Sequence, residues 1–182
     1  MQRDEALEMM RTHLKKDCMV KHSLAVAGIM KRIAEHLGED SSMFESIGLL
    51  HDIDFEKISK PEEHTLITET LLKGIVADEM LRSIKSHNFE HTKVQPISNM
   101  EHALIAADAV SGLIVAAALV MPSKKLDEVK LASLKEKFRS KEFARNCDRS
   151  KILYCEKFGI SLESFLELSL DAMKNISGEL GL

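Results

Sequence analysis

Apolar residues recur every three or four positions along most of this chain, and nowhere do they alternate with the period of two that marks a strand. Residues 2–16 place Leu7, Met10 and Leu14 on one stripe with charges opposite, which predicts a first amphipathic helix. Asp17 is positioned to cap a second helix over 19–37, ended by Gly38. Ser41 or Ser42 should start a third that runs to His51, with Glu45 at capping-box distance from Ser42. After a loop over 52–57, Pro61, Glu62 and Glu63 suit the first turn of a helix over 61–73. Gly74 separates it from another near 77–86, and His87 to His91 should enter a loop ending near Pro96. Ser98 or Asn99 opens a strongly apolar helix to about 120, and helical patterns return near 126–136, 140–157 and 161–178.

With 182 residues and 45% hydrophobic content, the chain is long enough for one domain with a substantial core and too short for two full ones. Few glycines and prolines, and no internal repeat or Gly/Ser linker, lead to one expectation: a single all-α domain over 1–182. The apolar stretch 103–121 is interrupted by Asp108, Ser111 and Gly112. Its unbroken part falls short of the roughly 20 residues that a membrane span needs, so a buried core helix is expected and no membrane partner.

Tryptophan is absent, aromatics are 4% and the net charge is −4, which supplies neither stacking platforms nor a basic surface for nucleic acid. Cys18, Cys147 and Cys155 are odd in number and lack CxxC spacing, as expected of reduced thiols in a cytoplasmic protein. The mixed-charge start, Met1 to Glu5, leads into no apolar signal segment.

The candidate chemistry begins at His51-Asp52, which closes the apolar run Ile47 to Leu50. Imidazole and carboxylate set at a bend can reach one cation, and together they suit transition metals better than Ca or Mg. Asp108 sits among Leu104, Ile105, Ala106, Ala107, Val110 and Leu113. An ionised carboxylate buried there needs a partner, which a cation, a backbone amide, a His or an Arg could each provide. His22, His64 and His87, taken singly, read equally well as hydrogen-bonded or solvated histidines.

The order H…HD…H…H…D over these residues resembles the HD superfamily of metal-dependent phosphohydrolases, across roughly residues 20–110. The strings LLHDIDFEK, SHNFEH, ALIAADAVSGLIVAAALVMPSKKL and KEKFRSKEFARNCDR extend a closer resemblance over nearly the whole chain, to a bacterial and archaeal set of predicted HD-superfamily hydrolases. The resemblance implies a helical-bundle HD domain, its metal-site core at about 20–110 and a C-terminal helical extension at about 123–182. It implies His22, His51, Asp52 and Asp108 as metal ligands. By likeness to binuclear relatives, including enzymes that split diadenosine tetraphosphate symmetrically, it adds His64 and His87. Many relatives read HDIGK, whose lysine can touch phosphate; Phe55 stands at that position here, and the nearby lysine is Lys57.

The expected cofactor is one or two divalent transition ions: Fe, Mn, Co, Zn or Ni. The expected reaction is hydrolysis of a phosphate ester or anhydride of a small metabolite or nucleotide by a metal-activated hydroxide. Asp52 would bridge two ions, with His64 and His87 completing the second site or, with one ion, binding phosphate or protonating the leaving group. Segment 124–151 carries five more basic than acidic residues, so Lys137, Arg139, Arg145 and Arg149 join Lys57 as candidate substrate contacts; a solvated helical face accounts for the same charges. Alternatives are a di-iron oxygenase, since some HD proteins such as myo-inositol oxygenase use similar ligands, and a non-catalytic nucleotide-sensing module.

Overall fold

In the computed structural model, which describes all 182 residues, every regular element is helical. Eleven α-helices follow in order: α1 (Arg3–His13), α2 (Asp17–Leu37), α3 (Ser41–Leu50), α4 (Leu66–Leu72), α5 (Asp78–His87), α6 (Phe89–Thr92), α7 (Asn99–Leu119), α8 (Leu131–Arg139), α9 (Arg149–Ile152), α10 (Leu162–Asn175) and α11 (Ser177–Leu180). Three 3-10 turns, Pro61–Glu63, Leu126–Glu128 and Leu153–Phe158, interrupt the connections, and no β-strand is present. The all-α class expected from the periodicity is the class observed.

Helix α7 is the axis of the bundle. It is long and apolar enough to cross a membrane by length and composition, but thirteen of its residues are buried against α2, α5, α9, α10 and their neighbours. It starts on a capping box in which Ser98 and Glu101 satisfy each other's backbone amides. One cluster of 44 buried apolar residues runs from Ala6 to Leu180, so the C-terminal helices share a core with α2, α3, α5 and α7.

The contact that sets the site is between α2 and α3. At Gly48 the helices approach so closely that an added Cβ would lie 2.5 Å from the Ala27 Cα and 2.7 Å from its nitrogen. His22 lies on α2 and His51 follows the last residue of α3, so this approach fixes how far apart the two imidazoles stand.

Several predicted boundaries are corrected, each by a non-local partner. Asp17 lies inside α2 and pairs with Lys21; the amides of Lys15 and Lys16 are instead capped by Glu56, from the loop after Asp52. Asp40 caps α3 through Ser42 and Met43, and Glu45 turns away to bind Arg3 and Lys31. The helix expected over 61–73 is broken at His64 and Thr65, where Thr65 takes a left-handed φ of 73°. The loop expected after His87 contains the short helix α6. The helix expected over 140–157 is replaced by turns, α9 and a 3-10 segment, because Arg149 draws loop carbonyls toward its guanidinium.

Replacing Gly48 with Ala should therefore cost about 1–3 kcal/mol by overpacking. It should lower the urea midpoint and weaken metal uptake, whereas Gly178→Ala, with open space around it, should leave both unchanged.

Candidate metal centre

Five separate elements deliver the six side chains. His22 comes from α2, His51 and Asp52 from the end of α3, His64 from the break before α4, His87 from the last residue of α5, and Asp108 from the middle of α7. All six meet. The two oxygens of the Asp52 carboxylate face two different groups. Its Oδ2 lies 3.5 Å from His51 Nε2 and 3.6 Å from His22 Nε2. Its Oδ1 lies 3.1 Å from His64 Nε2 and 3.6 Å from His87 Nε2. Asp108 Oδ1 joins the first group at 3.1 Å from His22 Nε2.

Hydrogen bonds behind the rings fix their tautomers. His51 Nδ1 donates to the Gly48 carbonyl at 2.8 Å, and His87 Nδ1 to the Ile84 carbonyl at 2.5 Å. His64 Nδ1 donates to Asp54 at 2.7 Å. Ser111 gives its single hydroxyl proton to the Asp108 carbonyl at 2.8 Å, so its oxygen accepts from His22 Nδ1 at 3.3 Å. With every Nδ1 carrying a proton, each ring in its neutral form aims its Nε2 lone pair into the centre.

This donor set fits a cation. His64 and His87 bring Nε2 atoms to 2.9 Å, and His22 and His51 to 3.3 Å, among carboxylates that only accept. Acceptors so close repel unless a proton or a positive ion lies between them. Donors around one ion at about 2.1 Å are spaced about 3.0 Å in an octahedron and about 3.4 Å in a tetrahedron, close to the separations seen here. Two groups offer suitable convergence: His22, His51 and Asp108, and Asp52, His64 and His87. The mixture of imidazole and carboxylate suits divalent transition metals.

Protonation follows the same geometry. Burial brings His51 down to about 4, which keeps its ring neutral. Burial opposes charge on His64 as well, but hydrogen bonds and charges from Asp52 and Asp54 outweigh it and raise that pKa to about 9. Asp52 and Asp54 thus favour the protonated form of His64 at neutral pH. Burial favours neutral Asp52, yet the surrounding histidines hold it well below the usual carboxylate range. Asp108 follows the same balance, with burial overcome chiefly by the hydrogen bond from His22.

Asp108 departs from its sequence reading in one respect. Its neighbours Ala106, Ala107 and Val110 are buried, but 35% of its own side chain is open to a cleft of about 400 Å³ that exposes both groups. The helix is not apolar on every side, and full burial is not what demands a partner. Convergence with His22 is the stronger argument.

Three supporting residues escaped the sequence reading. Asp54 is fully buried, orients His64, and accepts the amides of Thr65 and Thr68 at 2.7 and 3.1 Å. It thereby stabilises the left-handed Thr65, a costly conformation for a β-branched residue. Asn88 donates to the carbonyls of Pro61 and His64, tying the loop to the end of α5. Ser111 orients His22. Their proximity to ligands in sequence was the available signal: two residues from Asp52, one from His87, and three from Asp108.

The five basic residues considered for substrate lie elsewhere. Lys57 turns to His13. Lys137 sits over the Phe143 ring, Arg139 pairs with Glu136, and Arg145 is exposed. Arg149 donates to carbonyls of Lys137, Phe138, Ser140, Phe143, Ala144 and Cys147. None of the five lines the cleft, whose basic side chain is Lys151.

A helical bundle that gathers histidines and aspartates into a centre able to hold metal is the class this geometry defines. The family model for the HD domain matches residues 19–113, which contain all six side chains, and the chain belongs to that family. Its members are generally metal-dependent phosphohydrolases that bind divalent metals. No solved structure matches the chain significantly.

Metal uptake at pH 7 should displace at least one proton, because His64 must surrender its own to become a ligand and Asp108 and Asp52 raise the pKa of His22 as well. Affinity should accordingly rise with pH until about 9; calorimetry in buffers of different ionisation heat will measure the proton release. Asp54→Asn should weaken metal binding by about 10–100-fold through the loss of orientation at His64.

Proposed function

We propose that this protein is a metal-dependent phosphohydrolase that cleaves a phosphate ester or anhydride of a small metabolite or nucleotide, in the reducing cytoplasm. The observation that carries the reading is the division of Asp52: one oxygen toward His22 and His51, the other toward His64 and His87. A carboxylate so placed suits two neighbouring divalent ions, with His22, His51 and Asp108 completing one site and His64 and His87 the other.

Bound ions of this kind would lower the pKa of water toward about 7 and neutralise charge on phosphoryl oxygens. The protein's own part is to hold the donors. Carbonyls, Ser111 and Asp54 keep the four rings in one tautomer, so no ring must turn during turnover. The cleft admits substrate from the side where Asp108 is exposed.

If only the His22, His51 and Asp108 group is loaded, His64 keeps the proton that Asp52 and Asp54 stabilise. Its Nε2–H then stands beside Asp52 as a proton donor to the leaving oxygen.

Asp52→Ala should abolish phosphate release and empty at least one metal position. The test is release of phosphate from nucleotides, dinucleotides and sugar phosphates under anaerobic conditions with added Mn, Fe(II) or Co, alongside elemental analysis. Full turnover by the variant would overturn the assignment, and a product that forms only with O2 would place the chemistry with oxygenases.

A further inference from the structure

The cleft over the two ligand groups contains three kinds of side chain: the ligands, neutral residues such as Met19, Phe55 and Asn88, and one cation, Lys151. Lys151 comes from α9, outside the region matched to the HD domain. A phosphate ester entering this cleft carries more negative charge than oxygens facing metal ligands alone would satisfy. The remaining charge needs a cationic donor, and Lys is suited to meet it as a point charge on a flexible stem.

How the fold places Lys151 argues against an incidental surface lysine. Two residues earlier, Arg149 binds six backbone carbonyls of the 137–147 segment and thereby fixes the start of α9. Asp148 caps that start by accepting the Ser150 amide at 2.8 Å, and Ile152 is fully buried. Lys151 thus projects from an anchored turn. Its Nζ lies 5.7 Å from the centre of the Phe89 ring and 3.0 Å from Glu90 Oε2. Phe89 and Glu90 directly follow the ligand His87 and the loop clamp Asn88, so one short segment joins the metal centre to the lysine.

The pairing with Glu90 is weak enough to exchange. Lys151 is 23% exposed and Glu90 52%, and an ion pair that open to water contributes little stability. A dianionic phosphoryl group is a stronger partner for the ammonium than a solvated carboxylate.

We propose that Lys151 is the substrate-anion ligand of this protein: its ammonium leaves Glu90 to bind a non-bridging oxygen of a terminal phosphoryl group held in the cleft. This rests on the phosphohydrolase reading and assigns to the C-terminal helices the recognition of charge that the HD region lacks. It also gives Arg149 a positioning role, through the backbone it gathers, in place of direct contact with substrate.

The test uses inorganic phosphate as probe, titrated calorimetrically into the full-length, metal-loaded protein, with metal content measured in every variant. Lys151→Gln should weaken phosphate binding about tenfold or more at unchanged metal content, and Lys151→Arg should stay within about threefold of wild type, since it keeps the charge. Glu90→Gln should bind phosphate at least as well as wild type, because it removes the competitor. Equal affinity in wild type and Lys151→Gln would overturn the role of Lys151 while leaving the hydrolase reading intact. So would a loss in Glu90→Gln as large as that in Lys151→Gln, which would mark the pair as structural. Metal-loaded wild type that neither binds phosphate nor releases it from any ester would overturn the hydrolase reading, and this role with it.

Discussion

One carboxylate touches both halves of the site. Asp52 points Oδ2 at His22 and His51 and Oδ1 at His64 and His87. Everything around it works to keep four imidazole nitrogens aimed inward, although their lone pairs repel one another. A folded chain tolerates such a concentration of acceptors only where positive charge compensates it. A proton on His64 supplies such charge, and Asp52 and Asp54 favour it by raising the pKa of that ring to about 9. The same geometry could serve an ion as a coordination sphere.

The bundle supplies that geometry through close helix contact. Gly48 lets α3 settle on Ala27 of α2, and its carbonyl also accepts the His51 ring proton. One residue therefore sets both the distance between two ligands and the tautomer of one of them. The loop from His51 to Thr65 needs more support, because it turns sharply and places Thr65 in a left-handed conformation. Asp54, with three hydrogen bonds, and Asn88, with two to the loop's carbonyls, hold it against that strain.

The helical class and the convergence of six distant residues were legible in the chain, for different reasons. Apolar spacing encodes helices directly, as α2 and α10 illustrate. The ligand set emerged from the order of its residue types, since no histidine among them is persuasive alone. Boundaries were less legible wherever a cap arrives from far away: Glu56 caps the start of α2, and Arg149 gathers the carbonyls that a helix over 140–157 would have used internally. The same blindness hid the cleft lysine. Basic charge across 124–151 was visible as a total, but only packing separates Lys151, at the cleft, from Arg149, bound to backbone, and from Lys57, turned to His13. Asp108 taught a related lesson: its apolar sequence neighbours lie on the buried faces of α7, and the aspartate itself faces the opening.

The central claim, that Asp52 and the four histidines with Asp108 exist to hold cations, is tested most directly by anomalous diffraction from crystals of the manganese-loaded protein. The account predicts peaks in two places, one among His22, His51, Asp52 and Asp108 and one among Asp52, His64 and His87, with the carboxylate of Asp52 between them. Crystals grown in the same manganese concentration that show no anomalous peak within this cluster, and imidazoles bonded instead to protein groups, would contradict it.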